Sequence, residues 1–138
     1  MLTSLSDIHW FGVLLAFLAY SVLGGLWFTV FFKRAYASYL GKTPDTLNNT
    51  APIYMAGPAV CSLLITVTTA WLMQALDIRT YAAALAFALM IGVGYMVANT
   101  VNIAINPNMP QPLRYGALVG AFHLTGLVLV SLILVAWE

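Results

Sequence analysis

The sequence predicts an all-α fold: an integral membrane four-helix bundle, antiparallel, with a short amphipathic connector helix between spans 1 and 2. Three observations point there. Hydrophobic residues fill 62% of the 138 positions and charged residues only 7%, too little charge to cover a water-soluble domain of this length. The charges fall in gaps between apolar runs and not along one face of each run. Four such runs, about 8–32, 53–76, 81–105 and 113–137, each exceed the ~20 apolar residues that carry a helix across a bilayer.

The length fits a single domain, 1–138. A net charge of +1 offers no basic patch, so nucleic acid is not an expected partner. The single cysteine, Cys61, excludes an internal disulfide and a Cys-x-x-Cys redox pair, and its apolar surroundings make it a packing residue. That disfavours the four-helix membrane thiol oxidoreductases. The segment Met1 to Asp7 lacks the basic stretch of a signal peptide, and no small-x-small cleavage site follows, so the first apolar run is expected to be retained.

Span 1 has Trp10 and Phe11 near one end, where interfacial aromatics belong, and Lys33 and Arg34 at the other. Ser21, Gly24 and Gly25 supply a small-x-x-x-small face for helix packing. The helix is expected to run on past Tyr36 and Tyr39 to a stop at Gly41. Thr43-Pro44-Asp45 then reads as a cap, a first-turn proline and an acidic first turn, opening a surface helix that ends at Asn48 and Asn49. Span 2 carries Pro58 near its start and a small, weakly polar stripe of Ala59, Ser62, Thr66, Thr69 and Met73.

Asp77 to Thr80 is short enough to force a helical hairpin, with Thr80 as the next N-cap. Span 3 passes Gly92 and Gly94 and ends in asparagines. At 100° per residue Asn99, Asn102 and Asn106 share one face, and the same face extended backward takes in Tyr95, Gly92 and Ala88. Prolines 107, 110 and 112 break the helix, and Pro112 suits the first position of span 4. Span 4 carries Gly116-x-x-x-Gly120 and then His123 and Ser131.

Lys33, Arg34, Lys42 and Arg114 lie in the first and third connections, against Arg79 alone in the second. The positive-inside rule then places both termini outside a bacterial cytoplasmic membrane. The glycines of spans 1 and 4 fall in the same half of the bilayer as Asn99 and Asn102, with His123 near the midplane. The candidate polar pocket is therefore Trp27, Asn99, Asn102, Asn106 and His123, and the packing set is Ser21, Gly24, Gly25, Gly92, Gly116 and Gly120. His9 sits roughly 15 Å from the midplane, too far to share a haem with His123, and no acid or thiol completes a metal site there. No catalytic residue, metal or cofactor is expected.

The chain resembles the bacterial membrane proteins grouped as domain-of-unknown-function family 1761. The likeness rests on Gly24-Gly-Leu-Trp27-Phe28 with the following Lys33-Arg34, the Thr43-Pro-Asp-Thr-Leu47 connector, the stretch from Asn99 to Asn102, and Gly116 through Phe122-His123-Leu124 to Trp137. Where such proteins commonly carry a proline soon after the aromatic pair, this chain has Val30. The resemblance implies four membrane spans and no established activity. The functional expectation is a structural or accessory bundle, homo-oligomeric in the lipid bilayer. The alternative is a binding or transport module for a small hydrophobic or polar ligand, with a cytoplasm-facing polar pocket. An enzyme is disfavoured, because an isolated histidine without a nucleophile or acid makes a poor catalytic set.

Overall fold

A computed structural model describes residues 5–47 and 50–137. Every regular element among them is helical, and four helices are long and apolar enough to cross a membrane: Trp10–Phe31, Ile53–Ala75, Tyr81–Ala104 and Pro112–Val135. Span 1 is α1 (Trp10–Leu26) followed by a π-helical turn, Trp27–Phe31, and α2 (Lys33–Tyr39) follows outside the span. Span 2 is α3 (Ile53–Ala75). Span 3 is α4 (Tyr81–Ile91), a second π turn (Gly92–Val97) and α5 (Ala98–Ala104), and span 4 is α6 (Pro112–Val135).

Local chemistry ends these helices. Gly41 takes φ +69°, with Lys42 N–H donating to Ala37 O and Gly41 N–H to Ser38 O. That six-to-one and five-to-two pairing closes α2 on a left-handed residue. The same pairing closes α3, but there Asp77 holds the positive φ of 53°, and Ile78 N–H reaches Met73 O. Ile78 is buried, supplying the apolar contact that accompanies such a stop. Thr80 caps α4 by accepting from Ala83 N–H at 3.2 Å, and Pro112 opens α6.

The connection after α2 holds a single 3-10 turn, Pro44–Thr46, in place of a surface helix. Thr43 and Thr46 cap it reciprocally, and the hydroxyl bonds satisfy the donors that a longer helix would have used. The expected helix end at Asn48 and Asn49 lies outside the described residues, as does Glu138. The turn away from span 1 occurs at Phe32, with φ −122° and ψ 17°, and needs no proline: the π turn before it has already broken the α-helical bonding pattern.

α6 is the axis of the bundle. Of its span, 44% is buried, against 17–22% for the other three, so the other helices wrap around it. α1 and α2 lie along α6, with Gly12 against Trp137, Gly24 against the Phe122 ring and, from α2, Tyr36 against Tyr115. Span 3 lies along α6 on another side: Gly92 faces Leu124 and Leu127, Gly120 faces Val97, and Gly116 comes within 3.2 Å (from a would-be β-carbon) of the Val101 backbone. The Gly116-x-x-x-Gly120 face is thus filled from within the chain. α3 leans on α1 and more lightly on α6. Its buried residues are Thr66, Thr69, Ala70 and Met73, all in its second half, while Ile53, Tyr54, Met55, Val60, Leu63 and Leu64 are exposed. The bundle is therefore open between the first half of α3 and span 3.

Candidate functional site

The open edge holds a cleft of about 420 Å³ lined by Ile65 of α3, Tyr95, Met96, Asn99 and Thr100 of span 3, and His123 of α6. His123 falls within one residue of the middle of its helix, and Tyr20 within one of the middle of span 1. The two meet there: Tyr20 Oη and His123 Nδ1 are 2.9 Å apart. Tyr20 is almost fully buried, stacked on Phe122 at 5.3 Å between centroids. A glycine makes the room, because a β-carbon on Gly126 would overlap one edge of the Tyr20 ring. So α1 positions the imidazole that α6 presents.

The π turn positions Asn99. The buried side of span 3 runs through Ala84, Ala88 and Gly92 and then steps five residues to Val97 before Val101 and Ala104. A regular helix would continue from Gly92 to Asn99, seven residues on, and press the amide against α6. The wider π turn takes up one extra residue and turns Asn99 outward into the cleft, beside Tyr95 and Met96. Among the described residues no hydrogen bond reaches the side-chain amide of Asn99 or Asn102.

Of the five residues expected to form a polar pocket, the structure brings Asn99 and His123 together. Asn102 is exposed one turn beyond the cleft. Asn106 is elsewhere and occupied: its amide donates to Ile103 O at 2.9 Å and its Oδ1 accepts from Asn108 N–H at 2.9 Å, closing the end of α5 over the Pro107 turn. Helical periodicity put it on the asparagine face, but the helix has ended by Ile105. Trp27 sits in an aromatic cluster with Phe32 at 4.6 Å and Phe122 at 6.1 Å, apart from the cleft, and its buried Nε1 has no partner among the described residues.

In the packing set, Gly24, Gly92, Gly116 and Gly120 each meet another helix closely. Gly25 meets nothing; its carbonyl instead accepts from Thr29 Oγ1 at 2.6 Å. Ser21 is half-buried with an unpartnered Oγ. The residue missed was Tyr20. A phenol at mid-span needs a partner at its own depth, and matching helix midpoints would have left His123 of α6 among the few polar candidates, with Ser62 and Thr66 of α3.

The donor set suits neutral hydrogen bonding. One imidazole, one carboxamide, one threonine hydroxyl and the Tyr95 phenol line the cleft beside Ile65 and Met96, and among the described residues no cluster of three His, Cys, Asp or Glu side chains is placed to hold a metal ion. No curated protein and no solved structure matches the chain. The family described as "Protein of unknown function (DUF1761)" matches residues 11–135, taking in all four spans and both sides of the cleft. The chain belongs to that family.

Proposed function

We propose that the protein is a binding module of the bacterial cytoplasmic membrane, an antiparallel four-span bundle whose open edge admits a small molecule to Asn99 and His123. The observation that carries this reading is the convergence of those two side chains, from different helices, on one cleft of about 420 Å³. The cleft is a groove open over much of its face and not an enclosed cavity. An amide or imidazole at bilayer depth is costly unless it is paired or lines a cavity. His123 has one nitrogen engaged by Tyr20, and Asn99 has no partner among the described residues. The lining offers no nucleophile with an adjacent base, which favours binding over catalysis.

The charge distribution supports cytoplasmic first and third connections with both termini outside. Arg79, in the second connection, is the one basic residue that counts against that orientation. Reporter fusions at the C-terminal end that fluoresce in the cytoplasm would overturn it.

A structural role as a homo-oligomer is the second reading. It rests on Asn102 and the exposed first half of α3, apolar apart from small residues, which a second copy could cover. Asn99→Leu and His123→Leu separate the two. With dodecanol as the probe, the binding reading expects the wild-type melting temperature to rise and both variants to lose that rise while keeping their oligomeric state. Loss of assembly in Asn102→Leu, with no dodecanol effect on the wild type, would favour the structural role.

A further inference from the structure

Tyr20 decides which hydrogen His123 can offer. The phenol is 1% exposed, and the partner of its hydroxyl is His123 Nδ1 at 2.9 Å. Were Nδ1 to carry a hydrogen and donate it, the phenolic hydrogen would be stranded in an apolar interior, losing a hydrogen bond that the opposite arrangement keeps. Tyr20 therefore donates, Nδ1 accepts, and the neutral imidazole carries its hydrogen on Nε2. His123 lines the cleft, and Nε2–H is the polar group it has left to give. The cleft is thus furnished with a fixed donor at the middle of the helices and, toward the Asn99 end, a carboxamide.

Depth narrows what can accept from it. The hydrocarbon core is ~30 Å thick, so the ester carbonyls of phospholipids lie ~15 Å from the middle, held there by their hydrated headgroups. His123 is at the middle of its span. A carbonyl reaches that depth when nothing charged or strongly hydrated is attached to it. Resting on the binding reading above, we propose that the cleft takes an uncharged, carbonyl-headed amphiphile without a phospholipid headgroup. Its oxygen accepts from His123 Nε2–H, Asn99 meets a second polar atom, and Tyr20 is the positioning residue that sets the tautomer.

The test uses the full chain in lipid nanodiscs. The protein has two histidines, His9 and His123, so a His9→Gln background with isotopically labelled histidine leaves one imidazole for ring-nitrogen NMR. The probes are a twelve-carbon methyl ketone, the primary alcohol and the alkane of the same length. The expected result is an Nε2–H tautomer whose proton moves on adding ketone, with ketone bound about tenfold more tightly than alkane, the scale of one hydrogen bond in an apolar site. Tyr20→Phe, which keeps the ring and its packing, should mix the tautomers and shrink the ketone preference to about threefold or less with alkane binding unchanged. A merely structural tyrosine would not move the tautomer signals. An Nδ1–H tautomer, or a cleft that prefers the alcohol and treats ketone like alkane, overturns the inference and leaves the binding reading standing. If none of the three probes perturbs the His123 signals, the binding reading itself falls. An imidazole signal that differs between ester-linked and ether-linked phosphatidylcholine, without any probe, would make a phospholipid the source and overturn the depth assignment.

Discussion

The Tyr20 ring occupies the space that a β-carbon on Gly126 would need, so the partner of His123 is held in place by the absence of a side chain three residues further along the same helix. Gly126→Ala should therefore do two things together. Overpacking should destabilise the protein by about 1–3 kcal/mol, and displacement of the ring should break the Tyr20–His123 bond. Gly25→Ala is the control: nothing lies within 4 Å of its would-be β-carbon, so the gain in helix propensity should leave stability unchanged or raise it by up to ~1 kcal/mol. Equilibrium unfolding in mixed micelles measures both, and the histidine ring signals report the bond.

The five-residue step in span 3 predicts an unusual tolerance. Gly94 lies in the π turn, with nothing near its would-be β-carbon. Deleting it converts the step from Gly92 to Val97 into the four residues of a regular helix, so the contacts of Gly92, Gly116 and Gly120 should all survive. The stability change should stay within ~1 kcal/mol, while dodecanol binding falls because Tyr95 and Met96 retract from the cleft. Deleting Leu129 from α6, which has no π turn, should leave no folded bundle. Comparable losses in the two deletions would refute the account of the π turn.

Asn106 separates turn chemistry from site chemistry. Its amide closes the end of α5 and lines no part of the cleft. Asn106→Ala should lower stability by about 1 kcal/mol, the scale of a lost helix-end bond, with probe affinity unchanged. A binding defect without a stability defect would return Asn106 to the site.

Much of this was legible because helix boundaries are local. Thr80, Gly41, Pro112 and the Thr43-Pro44 cap announce themselves in the residues beside them, and the four spans follow from length and apolarity. Asp77 as a left-handed helix stop was not legible, because aspartate takes that conformation less readily than glycine and its use here depends on burying Ile78. The asparagine face was read with a constant 100° per residue, an assumption that fails where a π turn intervenes. Asn99 reaches the cleft for that reason, and Tyr20 went unnoticed because a pair 103 residues apart is set by helix register and not by any neighbour in sequence.

Tyr36, just past span 1, offers a pH test. Burial first, and then the nearby Tyr115, push its pKa from the usual 10 up to about 12. Between those values the unfolded chain has released the proton that the folded protein still holds. The unfolded state therefore binds fewer protons, and stability should fall as pH rises from 10 toward 12. The half-buried ring makes this a modest effect. Melting curves across that window should decline less steeply for Tyr36→Phe than for the wild type; parallel curves would mean that Tyr36 does not carry the dependence.

The placement of α6 bears on how the protein is made. The helix around which the other three are arranged is the last of the four to leave the ribosome. Before Pro112–Val135 arrives, α1 has α3 to lie against, but span 3 has its glycine and alanine side turned toward a partner not yet present. Assembly is therefore withheld until α6 has entered the membrane, and a chain halted in the third connection would leave three loosely held spans for the membrane's quality control to remove.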